Sequence, residues 1–476
     1  MALALVLLPG CRDQGTVTTD PASRFGGSDE GVARTLGIYS GGGQRVGTHR
    51  AEQRRGLWDS SVRAIEVVER TELNLSFRGD RFTIHTDQTS YLEEESLELL
   101  ASASTIDFGG QRWKTRWVRE GMNRYRKTES LGGSERTEIQ TVPAGVLTMD
   151  AMDLLLARMA FDGDRDRSRR IHLYNMTLGR SLPVEVSWKG RQGPERGFVL
   201  SIWGMEEEIW LDENGLVLRE TMPWGGITAR GTVPGERQGP LSLEEVFSKT
   251  SVAARDIPES LRYRNGAVLV LRGVQDLPPQ TPWQRVEAEG DTVTVRLTRP
   301  DMASGIEAGG AGPVDAAGDE NRLNLTDPRI KELAGEITGE LTDPWEKALA
   351  IGAWVYGNMG KSMRECLTAI EALEAGEGEC QSHSLLMVAL CRVSGIPARF
   401  LYGAVYLPDR GAYLFHTWVD VFVGRWMPVD PTLGHFPAGV DHLVLGMGSY
   451  MDQFQVFPFV LGAGNWSIAF KPDEAK

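Results

Sequence analysis

From about Leu36 to Glu236 the chain reads as short runs of alternating apolar and polar residues, broken by Gly, Asp and Asn, which is the period-two pattern of antiparallel sheet. Thr71 to Phe77 and Arg81 to Thr86 alternate, Gly37 to Gln44 holds a triple-glycine turn, and Ile209 to Leu218 predicts a hairpin closed at Asn214-Gly215. One helix interrupts the pattern. Met149 to Phe161 sets Met152, Leu155, Leu156 and Met159 at helical spacing, an apolar stripe fit to cover one face of a sheet. The charged run from Asp162 to Arg170 is expected to be a solvated loop. Leu241 to Pro300 is a second β-rich piece, with β-branched runs at Ala267 to Leu271 and Asp291 to Leu297 around Pro278, Pro279 and Pro282. Ala303 to Ala317 is Gly/Ala-rich with little to bury, which predicts a linker.

Past Asn321 the period changes from two to helical. Asp327-Pro328 opens a helix with Ile330, Leu333, Ala334, Ile337 and Leu341 on one face; Asp343-Pro344 opens a second, with Glu346 in the capping-box position; Thr368 with Glu371 starts a third. A fourth begins near Cys380, buries Leu386, Ala389, Leu390 and Val393, and stops at Gly395. Strand returns at Arg399 to Tyr406, Tyr413 to Val423 and, after a turn at Gly424, Trp426 to Val429. The expected fold class is α+β, a helix-then-sheet C-terminal domain preceded by antiparallel β-rich domains. The expected domains are 36–236, 241–300 and 321–476, with a tether over 1–35 and a linker over 301–320.

Composition narrows the function. Of 476 residues 41% are hydrophobic and 24% charged, an ordinary globular mix that excludes a multi-span membrane protein or a disordered chain. Glycine, at 55 residues, exceeds the usual ~7% and fits a turn-rich β fold. A formal charge of -14 repels phosphate, so nucleic acid is not an expected partner. Of four cysteines, Cys366, Cys380 and Cys391 crowd one stretch; three thiols cannot all pair, so no disulfide framework is expected.

Met1 to Pro9 is apolar, too short to span a bilayer, and ends at Gly10-Cys11 before a polar stretch rich in Asp, Thr, Ser and Gly. It resembles the end of a bacterial lipoprotein signal peptide, which implies lipidation of Cys11, an exported or envelope-anchored protein, and membrane attachment through the lipid alone. Pro9 stands where Ala or Ser is usual and no basic segment precedes the run, which puts the expected start upstream of Met1. The β-rich half resembles, without a sharp motif, the half-barrel sheets of exported envelope proteins.

The chemistry concentrates at Gly376-Glu377-Gly378-Glu379-Cys380, a cysteine at the first turn of a helix behind two glycines. There the helix dipole and free N–H groups are expected to stabilise a thiolate. His416 lies near the start of the strand expected beside that helix, and Asp430 follows the Gly424 turn on the next. Cysteine, histidine and aspartate in this order supply a nucleophile, a base and a carboxylate that orients the base. Taken singly each has a bland reading: a small buried cysteine, a satisfied strand histidine, a turn-opening Asp-Pro.

Their flanks argue jointly. Gly378-x-Cys380, Gly395-Ile396-Pro397-Ala398-Arg399, His416-x-Trp418 and Trp426-x-Pro428-Val429-Asp430-Pro431-Thr432 occur in one order. Over roughly Asn321 to Leu445 the chain resembles the transglutaminase-like superfamily, relatives of papain-type proteases. The resemblance implies Cys380 as nucleophile, His416 as general base and acid, and Asp430 as orienting carboxylate. It also implies an oxyanion hole built from the Cys380 N–H and an upstream donor, for which Trp354 and Tyr356 are the candidates. Gln381, His383 and Trp418 are candidate pocket residues, His383 at the rim, and Arg399 and its neighbours are architectural. Cys366 and Cys391 are expected to be structural.

His383 shares a helix face with Cys380, and Cys391, His416, His435 and His442 could be weighed with them as zinc ligands. No Cys-x-x-Cys or His-x-x-x-His pair supports that, so neither metal nor cofactor is expected. The expected activity is thiol-dependent acyl transfer on peptide or glutamine carboxamides, by a cysteine protease or amidase or by an amine-crosslinking acyltransferase. The expected partner is a protein or peptide substrate. The alternative is a catalytically silent scaffold that binds an envelope protein.

Overall fold

The computed structural model describes residues 21–28, 31–77, 80–108, 111–131, 134–161, 168–176, 180–202, 205–222, 227–242, 251–274, 276–300, 319–362, 364–456, 459–460 and 466–472. Cys11, the linker over 301–318 and most of the charged run after Asp162 lie outside these residues. The chain divides into two compact units, Met1–Val246 and Phe247–Lys476. Among the described residues no helix is long and apolar enough to cross a membrane. Strand outweighs helix throughout, so α+β describes only the second unit, whose helices precede most of its strands.

In the first unit, strands from Val32–Tyr39 to Ser134–Thr141 form one antiparallel meander. A second runs from Ser168–Asn175 to Ile227–Arg230, whose last strand pairs with Val32–Tyr39. Several strands are far longer than the short runs read from the sequence: Val62–Phe77 has 16 residues. Charged positions do not end them, because they pair across the sheet, as Arg63 and Arg55 do with Glu94 and Arg70 with Asp87. The hairpin at Asn214-Gly215 is present, its turn closed by Asp212 accepting from the Asn214 and Leu216 N–H groups. Helix Met152–Phe161 buries Met152, Leu154, Leu156 and Ala160. The tether boundary at residue 35 needs correction. Phe25–Ser28 already pairs with the strand ending at Trp58, held by Phe25 against Tyr91 and by Arg24 on Asp59.

The second unit carries strands β1 (Val252–Arg255), β2 (Gly266–Arg272), β3 (Gln284–Glu289) and β4 (Thr292–Thr298). Helices α1 (Pro328–Thr338), α2 (Pro344–Asn358), α3 (Ala369–Ala375) and α4 (Cys380–Val393) follow. Strands β5 (Ala398–Leu407), β6 (Ala412–Phe422), β7 (Trp426–Val429), β8 (His442–Gly448) and β9 (Ser467–Lys471) come after them. One sheet runs β3-β4-β2-β9-β1-β6-β5-β8, with β7 also pairing β6. Residues 241–300 are therefore no domain of their own. Leu241–Ser242 pairs with Leu75–Ser76 in the first unit, whereas β1 to β4 belong to the sheet that carries His416. The pairings that join them, β1 with β6 and β2 with β9, span well over a hundred residues and leave no local trace.

The helices start where the caps predict. Asp327 and Asp343 accept backbone N–H groups ahead of Pro328 and Pro344, and Thr368 with Glu371 forms a capping box. Helix α4 is the centre of the core: Leu385 to Cys391 are fully buried among α1, α2, α3 and the β5–β6 face that presents Phe400, Val419 and Val421.

Candidate active site

Cys380 is the first residue of α4, and the preceding chain reaches it through a tight corner. A Cβ at Gly378 would lie 2.5 Å from Ser382 Cβ, so only glycine admits the approach. Glu379 caps the helix: its carboxylate accepts from the Gln381 and Ser382 N–H groups, both at 2.7 Å, and from Ser382 Oγ at 2.8 Å. This corrects the expected source of thiolate stability. The Gln381 and Ser382 N–H donors of the first turn are occupied by the Glu379 carboxylate, which also lies 3.5 Å from Cys380 Sγ. Burial first, and then the charges of Glu379 and Asp430, push the Cys380 thiol well above its ordinary value. The Thr417 N–H, donated to Cys380 Sγ, works the other way. Ser384 Oγ donates to the Thr417 carbonyl at 3.2 Å and pins α4 to β6 at this point.

Thr417 follows His416, which puts the thiol beside that histidine's backbone. The β5–β6 register opposes Gly403 to His416, Leu401 to Trp418 and Arg399 to Asp420. His416, Trp418 and Asp420 share a strand face by period two. Trp418 is fully buried and stacks on the His416 ring at 6.1 Å, shielding it from water. Gly403 makes room for this pair: a Cβ there would meet the Leu443 carbonyl at 2.0 Å and the Trp418 ring at 2.9 Å. Asp430, one residue past β7, takes His416 Nε2 at 2.8 Å on Oδ2, and its Oδ1 accepts from the Thr432 and Leu433 N–H groups. Burial alone would raise this carboxyl, but His416 and then His442 outweigh it and hold Asp430 well below the carboxylate range.

His442 is the residue that sequence reasoning passed over except as a rejected metal ligand. Its Nε2 lies 3.1 Å from the same Asp430 Oδ2, and its Nδ1 lies 3.0 Å from Asp441 Oδ1. Burial opposes its charge, yet Asp441 and Asp430 together raise His442 to about 9. His435 behaves oppositely: burial, then the neighbouring His442, lower it to about 4. The sequence signal was faint, two adjacent polar residues, Asp441-His442, opening the apolar run Leu443 to Leu445. His416, Asp430 and His442, and separately His435, Asp441 and His442, bring their N and O atoms within 4.8 Å of one another. Both nitrogens of His442 face carboxylate oxygens at hydrogen-bond distance.

The other candidates fall in different places. His383 is fully buried, not at a rim, with Nδ1 2.9 Å from the Glu379 carbonyl and Nε2 unpartnered. Gln381 reaches Gln453 at 2.7 Å. Trp354 packs against the helical core, and Tyr356 is exposed beneath Lys361 and beside Gly434. Among the described residues neither is hydrogen-bonded to Cys380. Cys366 and Cys391 are buried thiols raised by burial to about 11 and about 12. Arg399 donates from Nε and Nη2 to Asp420 Oδ2 and stacks over Trp426, clamping β5 to β6. A cavity of about 150 Å³ is lined by Arg262, Tyr263, Arg299, Gly434, Phe436, Pro437 and Gly439, and Cys380 is not among its lining residues.

Residues 331–431 match the profile of the transglutaminase-like superfamily, a stretch that contains Cys380, His416 and Asp430. The second unit thus holds a transglutaminase-like domain. Among solved structures the chain is similar to a candidate cysteine protease from Cytophaga hutchinsonii (18% identity, TM-score 0.28, 46% of this chain and 82% of that one). It is also similar to a β-barrel-like protein of a domain of unknown function from Brucella abortus (11%, 0.29, 42% and 94%). A third is a candidate protease from Parabacteroides distasonis (12%, 0.19, 75% and 65%). At these identities and scores they carry nothing about activity. No curated protein matches the chain.

Proposed function

We propose that the second unit performs thiol-dependent acyl transfer on peptide or glutamine carboxamides. The observation that carries this reading is the 2.8 Å contact of His416 Nε2 with buried Asp430, made one residue from the Thr417 N–H that meets Cys380 Sγ. With Nε2 given to Asp430, Nδ1 is the atom left to take the thiol proton. Burial and the Glu379 charge push the Cys380 thiol up, which favours His416 acting as a general base at the moment of attack. The sulfur adds to the carbonyl carbon, the C–N bond breaks, and the proton held by His416 leaves on the amine. Water or a second amine then adds to the thioester, gives its proton to His416, and expels the thiol, which is regenerated. The Cys380 N–H, at a first-turn position with no intrahelical acceptor, is the proposed oxyanion donor. We favour water as acceptor, and Trp418 as the cover of the His416–Asp430 pair.

The high-lying thiol beside Glu379 favours one rival reading, a silent scaffold that binds an envelope protein. Alkylation of Cys380 separates them. A rate that collapses in His416→Ala supports the enzyme, and a rate indifferent to His416 supports the scaffold.

The setting proposed is the bacterial envelope, with Cys11 lipidated. A Cys11→Ser variant carrying its full native leader should leave the membrane fraction; unchanged partitioning would refute the anchor.

A further inference from the structure

We propose that His442, held between Asp430 and Asp441, is a positioning residue whose fixed positive charge offsets Asp430 and so keeps His416 free to accept a proton. The inference rests on the reading of Cys380, His416 and Asp430 as the reacting set.

The geometry decides the charge state. A neutral imidazole has one N–H and one lone pair, and an ionised carboxylate can only accept. His442 has a carboxylate oxygen at each nitrogen, 3.1 Å from Nε2 and 3.0 Å from Nδ1. A lone pair facing either oxygen would repel it, so both nitrogens carry hydrogen. Asp430 cannot relieve this by protonating, because Oδ1 accepts two backbone N–H groups and Oδ2 accepts from His416 as well. Asp430, Asp441 and His442 are all nearly inaccessible to solvent, so water screens the charges little.

The titratable and charged groups that face His442 come from each neighbouring element. Asp430 and His435 lie in the loop after β7, and Asp441 immediately precedes His442. His416 stands on β6 at a ring distance of 6.2 Å; farther along that strand Tyr413 acts on Asp441. Arg262, ahead of β2, bears on His435. His435 sits 5.4 Å away edge-to-face, with Nδ1 3.7 Å from Asp441, too far to replace His442 as its donor.

With His416 neutral the buried set of Asp430, Asp441 and His442 sums to one negative charge, and protonating His416 brings it to zero. Removing the His442 cation leaves two negative charges beside His416. Its imidazolium then forms more readily, and at a given pH fewer molecules hold the free base that attack requires.

The test uses the full chain and iodoacetamide as probe. The pH profile of Cys380 alkylation in His442→Gln should move to higher pH by about one unit, a tenfold slower rate at a pH below the midpoint, with the plateau recovered at alkaline pH. Asp441→Asn touches neither Asp430 nor His416 but removes one of the two buried negative charges, so with His442 still paired to Asp430 it should move the profile to lower pH, and the double variant should shift less than His442→Gln. On the wild-type protein, ¹⁵N NMR should show both His442 nitrogens protonated at pH 7.5. A neutral tautomer there would overturn the inference without any variant. So would a His416-dependent profile that both substitutions leave in place while lowering the thermal midpoint, the mark of a purely structural role. If the wild-type profile does not depend on His416, the reading of the reacting set fails, and the role of His442 with it.

Discussion

His416 and His442 converge on one atom, Oδ2 of Asp430, at 2.8 and 3.1 Å from strands that are not neighbours in the sheet. Asp430 thus orients one imidazole while being restrained by another.

Replacing Asp430 should hurt less than replacing the base. In a serine-protease triad the Asp→Asn change costs about 10⁴ in rate. Even pushed up by burial, a thiol ionises more readily than a serine hydroxyl, so Asp430→Asn is expected to lose roughly 10 to 10³ in turnover, a discount from that serine case. His416→Ala should abolish turnover and slow alkylation of Cys380 most of all. The comparison is made by kcat/KM on a peptide amide together with iodoacetamide rates; equal losses in every assay would contradict the ordering.

Glu379→Gln should act on the opposite side of the chemistry. The anion 3.5 Å from Cys380 Sγ opposes ionisation, and glutamine keeps a capping oxygen without the charge. Alkylation of Cys380 should shift to lower pH, opposite to the shift expected of His442→Gln. The helix cap should weaken by about 1 kcal/mol. An unchanged or alkaline-shifted profile would show that Glu379 does not set the thiol.

Stability should pass through a maximum near neutrality. His442 is raised to about 9 in the fold against an unfolded value near 6.5, so its contribution is complete below pH 6.5 and lost as pH rises through 9. The loss is on the order of 3 kcal/mol. His435 is lowered to about 4, so its contribution is complete above pH 6.5 and lost as pH falls through 4. Urea unfolding from pH 4 to 9.5 should show both limbs, with the alkaline one missing in His442→Gln.

Arg399→Ala should destabilise without touching the reacting atoms. It leaves the fully buried Asp420 carboxylate without its partner, and removing one member of a buried pair typically costs about 3–5 kcal/mol. Calorimetry should show a lower thermal midpoint, while kcat of the folded fraction stays near wild type. A variant as stable as wild type would remove the clamp assigned to β5 and β6.

Much of the second unit is legible in the sequence because its signals are local. Asp327-Pro328, Asp343-Pro344 and the Thr368–Glu371 box mark helix starts, and Trp426–Val429 stands as a strand where its flanking turns put it. What is not legible depends on residues distant along the chain. The β1–β6 pairing brings Val252 beside Tyr413, which no window of sequence records. The two-carboxylate cradle of His442 exists only once the loop after β7 folds back on β8. The capping role of Glu379 rests on a local signal, an acid one residue ahead of a helix.

In the proposed reaction Cys380 forms an acyl thioester with a peptide or glutamine carboxamide. Turnover of a peptide library, with and without a primary amine acceptor, should be compared in wild type and Cys380→Ala, with intact-mass detection of the acylated protein. Product and a Cys380-linked acyl adduct are expected in wild type, neither in Cys380→Ala, with a nearly unchanged thermal midpoint in that variant. Turnover that survives Cys380→Ala would contradict the proposed reaction.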